Sequence, residues 1–314
     1  MNWMFKALVQ NSVALLPDAW SHRVYYAMQR RFGGLKAVSA VDKIQQGVEL
    51  AALLREIGRD VHGASFLEVG TGRRLNLPLS LWLLGAERVV TIDLNPYLKE
   101  ELVREDVAQI RAQRDTIVSL FGAQLRLDRL DRVAALADDF RLDALLDTCS
   151  IRYIAPGDAA STGLAAGSID FHVSYEVLEH IPEPVLQAIF EEGSRVVSKD
   201  GLLLHKVDFS DHFSHGDASI SKINFLKYSD RAFAALAGNR YMYMNRLRLD
   251  DFLRLYERSG HRVLKLVAQV DEETASLLEM SGVGMADRFK SKSVETLSTM
   301  NAWIVSRGRH QNSG

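Results

Sequence analysis

The sequence predicts an α/β fold in which a mostly parallel sheet carries helices on both faces. Three observations predict it. Short apolar runs of strand length alternate with stretches of helical periodicity along the 314 residues. The first of these strands ends in a glycine-containing turn, Glu68 to Gly72, and the second ends at Asp93. Polar residues also follow later strands, at the edge where open parallel sheets bind their ligands.

Residues 1–41 are predicted to form an N-terminal helical cap before the main domain, 42–314. Residues 1–16 have apolar side chains at helical spacing, so this helix either packs over the core or lies on a membrane surface. Its one lysine does not make a basic face, which favours core packing. A second helix covers Arg23 to Arg31 and is broken by Gly33-Gly34.

After a helix at 43–56, the chain alternates in a doubly wound manner. The first strand, 65–69, leads through a crossover helix at 78–84 to the second strand, 88–92. The segment 96–148 is longer than a single crossover connection between two parallel strands requires. Its mixture of Leu with Arg and Asp predicts an insertion of two or more amphipathic helices with solvated charged faces.

The second half of the chain continues this alternation, with strands predicted at 150–154 and 169–174. A helix is predicted from Pro184 to about Ser198, closed by Lys199-Asp200-Gly201, because proline favours the start of a helix and glycine its end. The fifth strand is predicted at 201–207, followed by a substrate-covering insertion at 208–248 and a helix at 250–258. The last two strands are predicted at 262–270 and 302–306. A helical insert separates the last two strands.

The ends of the first two strands form a mononucleotide-binding βαβ pattern. Gly70 and Gly72 allow a sharp turn and a close approach of a ligand to the backbone. Asp93 follows Gly72 by 21 residues, where a carboxylate can accept both hydroxyls of a ribose. The third glycine of the dinucleotide pattern is absent, since Leu75 follows two arginines. A cofactor without a pyrophosphate is therefore favoured over NAD(P).

A second motif follows the fourth strand. Residues 177–182 (VLEHIP) resemble the corresponding motif of class I S-adenosyl-L-methionine (SAM)-dependent methyltransferases, especially the small-molecule enzymes of ubiquinone biosynthesis. The resemblance implies a Rossmann-like class I methyltransferase fold, whose seven-stranded, mostly parallel sheet has an antiparallel edge strand. It also implies that SAM is bound by residues at the strand ends: Glu68, Gly70, Thr71, Gly72, Asp93, Leu94, Asp158, Ala159, Ser174 and Tyr175.

The chemistry of the acceptor is expected after the fifth strand, where histidine and aspartate are concentrated: His205, Asp208, Asp211, His212, His215 and Asp217. Transfer of a methyl group to oxygen needs a base for the hydroxyl proton, and histidine titrates near neutral pH. A small-molecule acceptor methylated on oxygen is therefore favoured, and 239–248 is expected to contact it. The candidate catalytic residues are Glu179, His180, His212 and His215.

A metal site is a further hypothesis. Glu176, Glu179 and His180 have the spacing of one helical turn and would project to one side. This spacing resembles metal-assisted methyltransferases of the ubiquinone pathway and of small RNA, in which such side chains help to hold a divalent cation. The resemblance implies Mg²⁺ here, with a further ligand from His212 or His215, whereas in metal-independent relatives His180 would have an acid-base or orienting role.

Composition gives no support to several other classes of function. The formal net charge of −2 gives no indication of nucleic-acid binding, no apolar run is long enough for an integral membrane segment, and the single cysteine, Cys149, is consistent with the cytoplasm. Two alternatives stay open. One is an NAD(P)-dependent oxidoreductase, although no tyrosine begins a Tyr-x-x-x-Lys pair. The other is a catalytically silent SAM-fold interaction subunit. Oligomeric state is not predicted.

Overall fold

The computed structural model describes residues 2–36, 38–280 and 284–308. They form two compact units. The glycine-loop unit contains 38–175, 188–204 and 307–308, and the histidine unit contains 2–36, 176–187, 205–280 and 284–306. Met1, where the predicted N-terminal helix begins, and the last six residues of the predicted main domain lie outside the described residues.

The chain begins with two helices of the histidine unit, α1 (Trp3–Ala14) and α2 (Asp18–Phe32). The inner face of α1 places Trp3 and Ala7 in a buried apolar cluster with Phe213. This burial agrees with the core packing expected from the sequence. Among the described residues, no helix is both long and apolar enough to cross a bilayer.

The glycine-loop unit alternates helices and strands. Its first elements are α3 (Ala40–Glu56), β1 (Ser65–Val69), α4 (Asn76–Leu83) and β2 (Arg88–Ile92). The predicted insertion consists of four helices, α5 (Glu100–Ala112), α6 (Arg114–Phe121), α7 (Leu127–Ala135) and α8 (Leu142–Thr148). The chain returns to the sheet through β3 (Ile151–Ile154) and β4 (Ile169–Tyr175).

Parallel pairing aligns the ends of these four strands. β1 lies between β2 and β4, with Val69 opposite Ile92 and Glu68 opposite Val173. β2 also pairs with β3. Because the carboxyl ends of parallel strands meet at one edge of a sheet, the residues that follow these strands are brought together there. All five residues of β1 are buried, as expected for a central strand covered on both faces.

Two elements, α9 (Glu183–Val196) and β5 (Val197–Asp208), contain residues of both units. The histidine unit continues with α10 (Asp230–Ala237), α11 (Leu249–Arg258), β6 (His261–Val270), α12 (Glu272–Met280), α13 (Val294–Ser298) and β7 (Thr299–Gly308). The strand order is β3-β2-β1-β4-β5-β7-β6. The predicted seven-stranded, mostly parallel sheet with an antiparallel edge is therefore confirmed.

The boundary between α9 and β5 differs from the sequence prediction. The helix ends at Val196, and the strand begins at the next residue, so Gly201 lies inside β5 and does not close the helix. A Cβ atom at Gly201 would lie 2.8 Å from the Cβ of Val197 and 2.9 Å from the carbonyl oxygen of Asp170. This close approach of neighbouring backbone accounts for the glycine.

Candidate functional site

The loop after β1 has the conformation that its glycines predict. Gly70 and Gly72 have φ angles of +91° and +66°, which side chains other than glycine rarely adopt. A Cβ atom at Gly72 would meet no other atom within 4 Å, so the space beside this residue is open. The loop therefore combines a turn that only glycine adopts readily with room for a ligand against its backbone.

A chain of buried side chains supports this loop. Thr91 of β2 donates a hydrogen bond to the Glu68 carboxyl group, and its hydroxyl is 2.5 Å from that of Thr71. Burial raises the pKa of Glu68 to about 8, against the effect of the Thr91 hydrogen bond, so this carboxyl group is mostly protonated at neutral pH. Glu68 and Thr71 thus hold the loop on β2, a contact that strand spacing does not reveal.

Arg74 directly precedes Leu75, which occupies the position of the missing third glycine. Arg74 is buried, donates a hydrogen bond to the Leu102 carbonyl oxygen at 2.9 Å and pairs with Asp106 of α5. Burial raises the pKa of Asp106 to about 7, although Arg74 acts in the opposite direction. The sequence after the glycine loop therefore anchors the helical insertion and is not shaped around a pyrophosphate.

Asp93 lies directly beside the glycine loop. Its carboxylate accepts hydrogen bonds from the Gly72 N–H at 2.8 Å and from the Asn95 N–H at 2.9 Å. Burial raises the pKa of Asp93, and the two N–H donors oppose this shift. The next residue, Leu94, is 71% exposed, which leaves an apolar surface available to a flat apolar group. The resemblance to methyltransferases implies that the ribose and adenine of SAM bind at these two residues.

The ends of β3 and β4 contribute the other predicted cofactor residues. Asp158 is exposed and accepts a hydrogen bond from the Ala160 N–H at 2.8 Å, and Ala159 beside it is half-buried. Tyr175 donates a hydrogen bond to Glu49 at 3.2 Å. Ser174 is buried, and its hydroxyl has no hydrogen-bond partner within the described residues.

Buried polar groups without partners are rare in folded proteins, so an unpaired hydroxyl at a strand end indicates a ligand. Asn76, at the start of α4, also has a buried side-chain oxygen without a partner in the described part of the chain. The sequence does not mark Asn76 as a site residue, because an asparagine at a helix start is usually a cap. With the open space at Gly72 and the exposed Leu94, these groups fit SAM.

The segment after β4 does not form the helical turn expected from its spacing. Glu176 has a left-handed φ of +55°, and only Leu178–His180 form a short 3₁₀ helix. The Glu176 side chain is exposed, 3.9 Å from Lys206, and does not join the group formed by Glu179 and His180. The predicted projection of all three side chains to one side is therefore wrong.

His212 takes the place predicted for Glu176. Potential ligand atoms of Glu179, His180 and His212 all lie within 4.8 Å of one another. Glu179 is buried, and both of its carboxyl oxygens have no hydrogen-bond partner among the described residues. Burial raises the pKa of Glu179 well above its usual range, with Asp208 and Glu176 adding to the effect. A buried carboxyl without donors is costly unless a proton or a cation neutralises it.

The two histidines present their Nε2 atoms to Glu179, each 4.0 Å from its Oε1. His180 Nδ1 is 2.8 Å from the Tyr243 carbonyl oxygen, which can only accept, so Nδ1 carries the proton and Nε2 has a free lone pair. Burial and the neighbouring His212 lower the pKa of His180 to about 4. At neutral pH, His180 is therefore an uncharged acceptor or ligand.

Asp208, which had no predicted role of its own, organises the other side of His212. Its Oδ2 lies 3.2 Å from His212 Nε2 and 3.8 Å from His215 Nε2. Burial opposes ionisation of Asp208, but the nearby His212 and Ser210 together outweigh it and lower the pKa of Asp208. His215 is also 2.9 Å from the Ser210 hydroxyl, and burial lowers its pKa. An ionised carboxylate between two imidazoles can stabilise a proton taken up by either.

The other members of the histidine-rich segment have structural contacts. His205 is buried against the Tyr256 hydroxyl at 2.5 Å. Asp211 and Asp217 accept backbone hydrogen bonds from Phe213 and Trp3 at 2.9 and 2.7 Å. His205, Asp211 and Asp217 therefore have structural roles, whereas Asp208, His212 and His215 form the candidate functional group of this segment.

A cavity of about 660 Å³ lies beside this group, within the histidine unit. Asp208, Ser210 and His215 contribute to its wall. Its other polar lining residues are Glu176, Ser214, Ser221, Lys222, Gln269, Asp271, Glu273, Thr274 and Asn301, and its apolar ones are Ala218, Ile220, Val270, Leu277 and Met300. Such a volume and mixed lining are typical of small-molecule sites.

The segment 239–248 has a structural role that its composition does not predict. Arg248 is fully buried and donates to the carbonyl oxygens of Phe209, Leu297 and Thr299. Arg246 is also buried, with donors on two other carbonyl oxygens. The expected contact of these arginines with the acceptor is therefore wrong, since their guanidinium groups are used inside the protein.

Asn245 positions the candidate catalytic turn. Its side-chain amide donates to the carbonyl oxygens of Leu178 and Ile181 at 2.8 and 2.9 Å, and its backbone N–H donates to that of Glu179 at 2.8 Å. Three hydrogen bonds thus fix the short helix that carries Glu179 and His180.

Comparison with known families agrees with this architecture. The family described as a methyltransferase domain matches residues 67–205, which include the glycine loop, Asp93 and the turn after β4. The matched segment covers somewhat less than half of the chain and indicates a SAM-dependent methyltransferase. The match supports neither the oxidoreductase nor the silent subunit.

Solved structures resemble the chain at low identity. A SAM-dependent methyltransferase from Mesorhizobium loti is 14% identical, with 84% of this chain and 99% of that chain covered and a TM-score of 0.44. One from Methanosarcina mazei is 13% identical, with coverages of 80% and 94% and a TM-score of 0.46. Geranyl diphosphate C-methyltransferase from Streptomyces coelicolor is 12% identical, with coverages of 83% and 78% and a TM-score of 0.43. No curated protein matches the sequence significantly.

Proposed function

We propose that the enzyme transfers the methyl group of SAM to a hydroxyl oxygen of a small molecule, and that His212, assisted by Asp208, takes up the hydroxyl proton. The observation that carries this proposal is the 3.2 Å approach of an ionised Asp208 to His212 Nε2. Attack of the acceptor oxygen on the methyl carbon forms the O–CH₃ bond and breaks the S–CH₃ bond. The proton released from oxygen then remains on the imidazole, where Asp208 stabilises the positive charge.

The cavity beside His215 is the proposed acceptor site. Four carboxylate residues line it, Glu176, Asp208, Asp271 and Glu273, against one lysine, Lys222, which pairs with Asp271 at 2.5 Å. This surplus of negative charge disfavours phosphorylated or carboxylated acceptors. Hydroxyl, amide and carboxylate groups on its wall suit a neutral acceptor with several hydroxyls.

On the cofactor side, we propose that SAM is held by the strand-end residues of the glycine-loop unit. Asp93 would accept the ribose hydroxyls, and Leu94 with Asp158 and Ala159 would border the adenine. Ser174 offers an unpaired hydroxyl, and Gly70 and Gly72 allow close approach of the methionine part. Glu68 and Thr71 would act by holding the loop, and Tyr175 by its position beside Glu49.

Replacing His212 by asparagine is expected to lower turnover by about 10²- to 10⁴-fold, the usual contribution of a general base. SAM affinity should change by less than about twofold, because the variant removes no strand-end group. The measurement is formation of S-adenosylhomocysteine with a panel of hydroxylated small molecules, together with calorimetric titration of SAM. The matched control is His62→Asn, at an exposed histidine of the glycine-loop unit.

Full turnover by His212→Asn would contradict the role of His212. Methylation of amine acceptors alone would contradict the choice of oxygen and leave SAM binding intact. Asp208→Asn separates the base from its partner: it should reduce turnover less than His212→Asn does, since the imidazole remains but the neutral amide no longer stabilises the imidazolium.

An alternative to the His212 base is a divalent cation, such as Mg²⁺, held by Glu179, His180 and His212. Two observations support it: the buried Glu179 oxygens have no hydrogen-bond partner in the described part of the chain, and the His180 tautomer leaves a lone pair on Nε2. When bound, the cation would polarise the acceptor hydroxyl and lower its pKa. His212 would then serve as a ligand, and Asp208 with His215 would remain as the acceptors of the proton.

Binding of Mn²⁺, a spectroscopic substitute for Mg²⁺, is expected to be at least about tenfold weaker in Glu179→Gln. Binding to the unaltered enzyme should tighten as the pH rises, because the raised pKa of Glu179 means that a proton must leave before the carboxylate can coordinate. Electron paramagnetic resonance of free Mn²⁺ measures both effects without an activity assay. Glu176→Gln, outside the group, is the control and should bind as the unaltered enzyme does.

Equal Mn²⁺ binding by Glu179→Gln and by the unaltered enzyme would refute this site. Undiminished turnover after exhaustive chelation would show that the reaction needs no cation, and it would favour His212 as the base.

A further inference from the structure

The N-terminal helix α1 is apolar on both of its faces. Its inner face is buried through Trp3, Ala7 and Val13. On the opposite side, Met4, Phe5 and Leu8 are each more than half exposed. A surface helix normally turns polar residues outward, so an outward apolar stripe indicates that another apolar surface covers it.

The turn between α1 and α2 extends this apolar surface. Leu15 is 88% exposed, Leu16 is 39% exposed and Trp20, in the first turn of α2, is 64% exposed. Tryptophan and leucine at the tip of a helical hairpin are typical of segments that enter the interfacial region of a bilayer.

Cationic side chains flank the apolar tip. Residues 1–36 contain five lysine and arginine residues and a single acidic residue, Asp18, although the whole chain has a net charge of −2. On α2, the exposed Arg23 and Arg31 follow Trp20 by 3 and 11 residues, which places them on the same helix face. The basic face that α1 lacks alone is thus supplied by α2.

We propose that the exposed face of the α1–α2 hairpin binds the surface of an anionic phospholipid bilayer. Leu15, Leu16 and Trp20 enter the headgroup region, while Arg23 and Arg31 contact lipid phosphates. Charge distinguishes this occupant from a second copy of the chain, because a self-complementary contact would bring two basic hairpins together. The binding is peripheral, and it does not depend on the acceptor or on the cation.

The test is flotation of the full-length protein with vesicles of phosphatidylcholine alone and with about one third phosphatidylglycerol. Binding is expected only to the anionic vesicles and should weaken as salt is added, because the screening length falls. Leu15→Ser/Trp20→Ser and, separately, Arg23→Glu/Arg31→Glu should each reduce the bound fraction by about tenfold or more. Circular dichroism verifies that the variants fold.

Met280→Ser is the matched control, since Met280 is 87% exposed on α12, outside the hairpin, and it should float like the unaltered protein. Absence of binding to anionic vesicles would overturn the proposal, as would equal binding by both hairpin variants. A dimer in light scattering that Leu15→Ser/Trp20→Ser converts to monomers, without vesicle binding, would assign the surface to a second copy instead.

Discussion

Replacing Asp93 by alanine is expected to weaken SAM binding by about ten- to hundredfold. A carboxylate that accepts the ribose hydroxyls contributes charge-assisted hydrogen bonds of about 1.5–3 kcal/mol, and about 1.4 kcal/mol corresponds to a tenfold change in affinity. The same carboxylate accepts the Gly72 and Asn95 N–H groups, so the variant also releases the glycine loop. Calorimetric titration of SAM into the purified variant measures the effect.

Two further variants separate these contributions. Asp93→Asn keeps one acceptor oxygen for the loop but lacks the charge, so it should lose less affinity than Asp93→Ala and retain more thermal stability. Asp128→Ala removes an exposed carboxylate from α7 and serves as the control. Unaltered SAM affinity in a folded Asp93→Ala protein would remove Asp93 from the cofactor site.

Replacing Arg248 by methionine is expected to lower the free energy of unfolding by about 3–5 kcal/mol. The methionine keeps much of the apolar volume but leaves the carbonyl oxygens of Phe209, Leu297 and Thr299 buried without their donor. Burial lowers the pKa of Arg248 only to about 10, so the guanidinium is charged at neutral pH and its hydrogen bonds are strong. Denaturant unfolding followed by circular dichroism measures the loss.

Arg254 provides a matched control on the same helix, α11. Its side chain is 59% exposed and pairs with Asp250 and Asp251 at the surface, so Arg254→Met should cost less than about 1 kcal/mol. If Arg248→Met unfolded within about 1 kcal/mol of the unaltered protein, the internal arginine would not be a stabilising element.

The sequence predicts the glycine-loop unit well because its signals are local. Glycines with positive φ angles, an apolar strand and an acid at the end of the next strand all lie within one βαβ unit, and the predicted β1 and β2 have the observed bounds. Its helical insertion was also predicted, since amphipathic periodicity is a property of each segment by itself. Whether these strand ends bind SAM as proposed is a question for the Asp93 variants.

The histidine unit was harder to predict because distant residues decide its local conformations. The backbone N–H of Glu176 donates a hydrogen bond to the Lys206 carbonyl oxygen at 2.9 Å. This hydrogen bond accompanies the left-handed conformation of Glu176, which directs the Glu176 side chain away from Glu179. Likewise, the carbonyl oxygen of Leu297 that binds Arg248 lies 49 residues along the chain. A spacing rule assumes a regular helix and contains no information on such partners.

The backbone and side chain of Asp93 connect three successive strand ends. Its carboxylate binds the loop after β1, while its carbonyl oxygen accepts the N–H of Gly157, after β3, at 2.9 Å. Each carboxylate oxygen has used only one of its two lone pairs on the backbone, so a ribose can bind to the second without displacing the first. The glycine loop is thus preorganised, and binding of a ligand there would lose little conformational entropy. Substitutions at residues that never touch the ligand, such as Thr91, should therefore change its affinity by loosening this arrangement.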